Sequence, residues 1–211
     1  MTENSIAVLP LENLSSDPEN EYFCDGMNEE IINVLSKIKG LKVTARTSSF
    51  AFKGLKEDVR IIGNKLRVAS VIEGGIRKLG KRVHIAIQLI RTDNGFHIWS
   101  DTIDRELSDI FLLQDEISLL VADKIRESFG HFEIGDHLVT NKTNNTEAYQ
   151  MVLKGSYYFK RKDLQDIKKA LLYFQEAVRL DPEFAEAHVY MGETYLHYAG
   201  FNLISTDENQ C

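Results

Sequence analysis

The chain has 211 residues, 43% hydrophobic and 27% charged, with a formal net charge of −7. That is an ordinary globular composition, with length enough for one good core and a second, smaller unit. The acid excess is shared by both halves, which argues against a duplex-binding domain, and no apolar run approaches the roughly 18 residues that suggest a membrane span. Met1 to Ser5 shows no signal-peptide pattern. Cys24 and Cys211 are too few and too far apart for a disulfide framework, a zinc site or a redox pair. Such cysteine use slightly favours the cytoplasm over the periplasm.

In chain order, Ile6-Ala7-Val8-Leu9-Pro10-Leu11 predicts a strand buried on both faces, its paired part ending at Pro10, which has no N–H to donate. A polar loop, Glu12 to Glu21, follows, with Asp17-Pro18 as a helix start. Met27, Ile31, Leu35 and Ile38 recur at helical spacing, widened by Ile32 and Val34, and Gly40 stops the helix. Leu41 to Ala45 is a second strand, Arg46 to Lys56 a loop, and Val59, Ile62 and Leu66 mark one face of a short helix. Three strands come next, Val68 to Lys78, Arg82 to Arg91 and Phe96 to Arg105. Their turns, at Gly80-Lys81 and Asp93-Asn94-Gly95, are short enough for an antiparallel meander. A long helix buries Leu113, Ile117, Leu120, Val121 and Ile125. The result is an α+β fold over 5–129, a mixed sheet in the order β-α-β-α-β-β-β-α. A polar linker is expected over 130–146 and an all-helical segment over 147–211.

The helical segment carries a spacing of its own. Ala170, Phe174, Ala177 and Pro182 fall where a tetratricopeptide repeat (TPR) places its second helix and following turn, and Met191, Gly192 and Tyr195 continue the period. Small residues mark close helix approach and aromatics fill the gaps. The opening helix, Ala148 to Phe159, fits only with a few inserted residues around Arg161 to Asp166. A second repeat would close with a helix from Phe201 to Cys211. On this spacing Glu186, Val189, Glu193, Leu196 and His197 line the concave side, where such repeats take a protein or peptide partner.

A resemblance extends through the first unit. Ser5 to Ser15, Glu21 to Gly26, Ala45 to Phe50, Val71 to Gly75, His97 to Ser100 with Asp104-Arg105, and Asp109 to Phe111 with Gln114 to Ile117 together resemble the TolB-amino-terminal-like (FlgO-like) domains of bacterial signalling proteins. The resemblance implies a domain commonly followed by TPRs and preceded by an output module such as a nucleotide cyclase or a winged helix. It supplies no catalytic residues. Leu11 and Cys24 stand where relatives often have Phe and Ala.

Other motifs give little chemistry. Gly75 to Arg82 imitates a phosphate-binding loop, but Gly80-Lys81 reads as a hairpin turn and Arg82 replaces the magnesium-binding hydroxyl. The acids Asp17, Glu19, Glu21 and Asp25 lack the EF-hand pattern and read as helix caps. The histidines show no metal spacing, so no metal, cofactor or catalytic set is expected. Arg46, Thr47, Ser48 and Ser49, one cation and three hydroxyls after a strand end, are a candidate anion or ligand loop; hydrogen bonds bracing the loop are the plainer reading. The functional expectation is a non-enzymatic regulatory or scaffolding module acting by protein–protein contact, without nucleic acid or membrane insertion. The alternative is a small-molecule-sensing part of an adenylate/guanylate cyclase or transcriptional regulator.

Overall fold

The computed structural model describes residues 2–106, 110–129 and 142–207. It divides into two compact units, Met1–Thr140 and Asn141–Cys211.

In the first unit, β1 (Thr2–Val8) lies between β3 (Lys42–Val43) and β4 (Val68–Leu79), parallel to both, and the sheet continues antiparallel into β5 (Arg82–Arg91) and β6 (His97–Glu106). The helices between β1 and β4 are α1 (Glu21–Leu35), α2 (Arg46–Phe50) and α3 (Val59–Leu66). The connection β1 to β3 steps one way across the sheet, whereas β3 to β4 steps back past β1. Both crossovers are expected to be right-handed, so their helices fall on opposite faces. α3 accordingly packs with Ala7, Leu9, Val71 and Ile90, with Ile62 at its centre and Phe52, Val59 and Leu66 around it. The other face carries Ile6, Val8, Ile72, Ile76, Ile85, Ile87 and Leu89, all nearly inaccessible. It is left to α1, through Met27, Ile31 and Leu35, and to α4 (Ile110–Phe129), through Leu113, Ile117, Val121 and Ile125.

Three details differ from expectation. The first strand breaks at Pro10 as its chemistry requires. It then resumes as β2 (Glu12–Asn13), parallel to β4 opposite Gly75 and Ile76, in what reads as polar loop. The segment Arg46 to Phe50 is a helical turn, α2, and not loop. Leu120 is half-buried, and Ala122 takes its place in the interior. Gly74 has a structural reason to lack a side chain: a Cβ there would lie 2.1 Å from the Ala86 carbonyl oxygen. Any larger residue forces β4 and β5 apart.

The second unit contains α5 (Thr146–Phe159), α6 (Leu164–Leu180) and α7 (Ala185–Asp207). Asn145 caps α5 by accepting from the Glu147 and Ala148 amides, and Asp163 caps α6 likewise from Gln165 and Asp166. Gly155 lets α5 and α6 meet closely: a Cβ there would stand 2.4 Å from the Phe174 ring. Phe174 is fully buried between Ala170 and Ala177, with Tyr190 of α7 stacked on it at 5.3 Å. Of the expected linker, 130–141 lies outside the described residues. Residues 142–145 belong to the packed unit: Thr143 is buried and hydrogen-bonds Asp181, and Lys142 pairs with Glu186 at 3.3 Å. The helix expected to start anew at Phe201 is instead a continuation of α7 as far as Asp207, with no proline in the sequence to interrupt it; 208–211 lie outside the described residues.

Candidate functional site

At the C-terminal ends of β1 and β3 the chain leaves toward opposite faces, the arrangement that opens a crevice in α/β sheets. α1 brings Glu21, Asp25 and Glu29 there, spaced four apart and so on one side of the helix. Against them stand Lys53 and Arg46. Lys53 Nζ lies 2.7 Å from Glu21 Oε1 and 2.5 Å from Asp25 Oδ1. Arg46 Nε is 3.6 Å from Glu29 Oε2, and its guanidinium sits 3.7 Å from the Phe50 ring centroid.

Burial pushes the Asp25 carboxyl up, further than Lys53 lowers it, and Glu21 adds to the rise. Burial draws Lys53 down, but hydrogen bonds to Asp25 and Glu21 outweigh it and leave this amine raised. The two partners therefore speak differently of one contact. The Lys53 direction decides the charge state: an ammonium facing two carboxylates keeps its proton, and the rise at Asp25 reflects the desolvation of the second carboxylate. The crevice is thus filled by the protein's own ion pairs.

Arg46, Thr47, Ser48 and Ser49 stand at this crevice without converging on one point. Thr47 and Ser48 face solvent, while Ser49 is buried with its hydroxyl unpartnered. From sequence alone Glu21 and Asp25 read as helix caps and the cluster goes unseen; the four-residue spacing of Glu21, Asp25 and Glu29 along α1 could have signalled it, whereas nothing in the sequence pointed to Lys53. Asp17 caps the 3₁₀ turn Pro18–Asn20 by accepting from the Glu19 amide at 2.9 Å. Gly80 takes a φ of 57° in the β4–β5 turn. His84 pairs with Asp104 at 3.0 Å, and His97 lies at the far end of β6 opposite Ile90. Among the described residues no group of three or more His, Cys, Asp or Glu could hold a metal ion, and no helix is long and apolar enough to cross a membrane. Cys24 is buried, and burial first, then Glu21 and Asp25, pushes its thiol up to about 12. It stays protonated and a poor nucleophile. A shallow depression of about 370 Å³, lined by residues including Gly74, Gln88, Ser100 and Thr102, lies on the sheet.

In the helical unit the expected stripe occupies one side of α7. Val189 is 59% and Leu196 76% exposed, with Glu193 exposed between them. Glu186 is half-buried beside Lys142, and His197 packs edge-on against Phe159 at 5.1 Å. Isolated apolar residues on a surface are ordinary; Val189 and Leu196 share one side of α7, two turns apart.

These features define a sheet-and-helix domain whose crevice charges pair with one another, joined in sequence to a helical unit. The chain belongs to the HilA/YgeH-like transcriptional regulator family, matching its second domain over residues 2–120. It is also 37% identical over 184 residues to "Putative adenylate cyclase 3" of Rhizobium meliloti (strain 1021), an alignment covering 87% of this chain and 31% of that protein. The chain therefore spans under a third of that relative. Similar solved structures include a lipoprotein from Neisseria meningitidis, at 20% identity, 57% of this chain, 95% of that one and a TM-score of 0.45. TolB from Acinetobacter baumannii matches at 12% identity, 58% and 28% coverage and a TM-score of 0.43. The LpoB C-terminal domain from Salmonella enterica matches at 15% identity, 49% and 83% coverage and a TM-score of 0.41.

Proposed function

We propose that this chain is a non-catalytic regulatory and docking part of a bacterial signalling protein, working through protein–protein contact. One observation carries the reading. Closely related sequence occurs in proteins whose names give two different outputs, a transcriptional regulator and an adenylate cyclase. What such proteins share is then the part that senses or relays, and not the output chemistry. The pairing of Lys53 with Glu21 and Asp25 at the crevice agrees with a structural role for these groups.

In this reading α5 to α7 are tetratricopeptide-type helices. Gly155 against Phe174, the flanking Ala170 and Ala177, and Asp181-Pro182 after α6 supply the close approach and the turn. Val189, Glu193 and Leu196 then form the contact face for a protein or peptide. The test is a chimera of the Rhizobium meliloti relative with its matching segment replaced by this chain. Val189→Asp with Leu196→Asp should change the chimera's output rate while circular dichroism stays constant. An output indifferent to both substitutions contradicts docking through α7. A melting temperature raised specifically by one metabolite, and lost on substituting Ser100 and Thr102 in the sheet depression, would favour a ligand sensor.

A further inference from the structure

The side of the α5–α6 hairpin carries a second feature, apart from the α7 stripe. Tyr158 of α5 and Tyr173 of α6 stack face to face at 5.6 Å, 9° from parallel, and Tyr157 meets Tyr158 edge-on at 5.3 Å. Cations surround this group. Arg161 lies 4.5 Å from the Tyr157 ring, Lys169 5.1 Å from Tyr158 and Lys154 5.7 Å from Tyr173. Lys160 and Lys162, in the turn that follows α5, are exposed beside them. Among the described residues, acids that meet these cations include Asp166, which contacts Arg161 at 3.6 Å and Lys169 at 4.0 Å, while Asp163 caps α6. In a chain of net charge −7, five cations (Lys154, Lys160, Arg161, Lys162 and Lys169) gather here beside Asp163 and Asp166. Leu172, one helical turn beyond Lys169 on α6, is 66% exposed.

We infer that this tyrosine-backed cationic corner docks an acidic protein segment carrying an apolar residue. The stacked rings hold the long basic side chains in place, which reduces the rotamer entropy lost on engaging a carboxylate. Leu172 gives the apolar residue a neighbour. A single-stranded nucleic acid fits less well: it needs open aromatic faces for its bases, whereas Tyr158 and Tyr173 cover one another and cations approach the rings. The overall negative charge also opposes a long polyanion or an anionic membrane.

The proposal goes beyond the α7 contact face and is tested apart from it. A fluorescein-labelled peptide of about a dozen residues, rich in Glu with a central Leu, is titrated with the whole chain while anisotropy is read. Saturable binding is expected, weakening as salt is raised. Lys154→Gln with Lys169→Gln should weaken it about three- to tenfold, in line with two exposed ion pairs. Val189→Ser with Leu196→Ser should leave it unchanged. Should the lysine pair disturb helicity by circular dichroism, the salt series on the unaltered chain decides. Absence of peptide binding at low salt, an affinity insensitive to salt or to the lysine pair, or tighter binding to an oligo-dT strand or phosphatidylserine vesicles would each overturn the proposal.

Discussion

In the first unit the residues that hold the fold together are distant in sequence: β1 pairs with β4, Ala7 beside Val71 and Val8 beside Ile72, with three α-helices and two short strands between them. In the helical unit they are near neighbours, Gly155 against Phe174 and Phe174 against Tyr190. A sheet closed by long-range pairing forms all at once, and its centre tolerates little change. Helices held by local contacts need no long loop to be closed before they pack. The difference teaches where each kind of work can be placed: a fixed platform in the sheet, locally built surfaces on the helices.

Phe174→Ala sharpens the comparison most. Loss of a fully buried ring at the meeting of three helices should cost about 3–5 kcal/mol, read as lost amide-exchange protection in α5 and α6. Protection in β4 and β5 should remain. Gly74→Ala does the reverse: a methyl forced against the Ala86 carbonyl should cost on the order of 1–3 kcal/mol and lower the urea midpoint for the sheet. Little or no change would mean that β4 and β5 have room there.

Cys24 offers a pH test. Its folded pKa of about 12 lies above the ordinary 9.0, so between those values the native chain holds a proton that the unfolded chain has lost. Stability should therefore fall as pH rises above 9.0, by up to about 1.4 kcal/mol per unit, and Cys24→Ala should flatten that slope. Lys53→Met removes the cation facing Glu21 and Asp25, at a cost of about 1–2 kcal/mol given its partial exposure. The loss should shrink on acidification, as the Asp25 carboxyl, held above its ordinary value by burial, becomes protonated. Smallest of all, Val189→Ser with Leu196→Ser should alter stability by less than about 0.5 kcal/mol, because neither side chain is buried.

Sequence reasoning reached the long elements and stopped at the short ones. The β4–β6 meander is legible because Val83, Ile85, Ile87 and Leu89 alternate between tight turns, and α1 because its apolar residues recur at helical spacing. β2 spans two residues and exists only because Glu12 and Asn13 fall opposite Gly75 and Ile76 once the sheet has formed; no local period could announce it. α2 is a single turn for the same reason. The candidate Arg46 to Ser49 segment was placed correctly at a strand end, yet its chemistry depended on Lys53 and the α1 carboxylates, which only the tertiary fold brings together. The positions of Val189, Glu193 and Leu196 on one side of α7 follow from helical spacing. The tyrosine–cation corner does not, because Lys154 and Tyr173 come from different helices.

The central claim is that this chain binds and relays without making or breaking bonds. Its most direct test is to incubate the purified chain with ATP and magnesium and follow cyclic AMP and phosphate release. The account predicts no turnover above buffer. Turnover that disappears when one polar residue, such as Asp25 or Arg46, is replaced would contradict it.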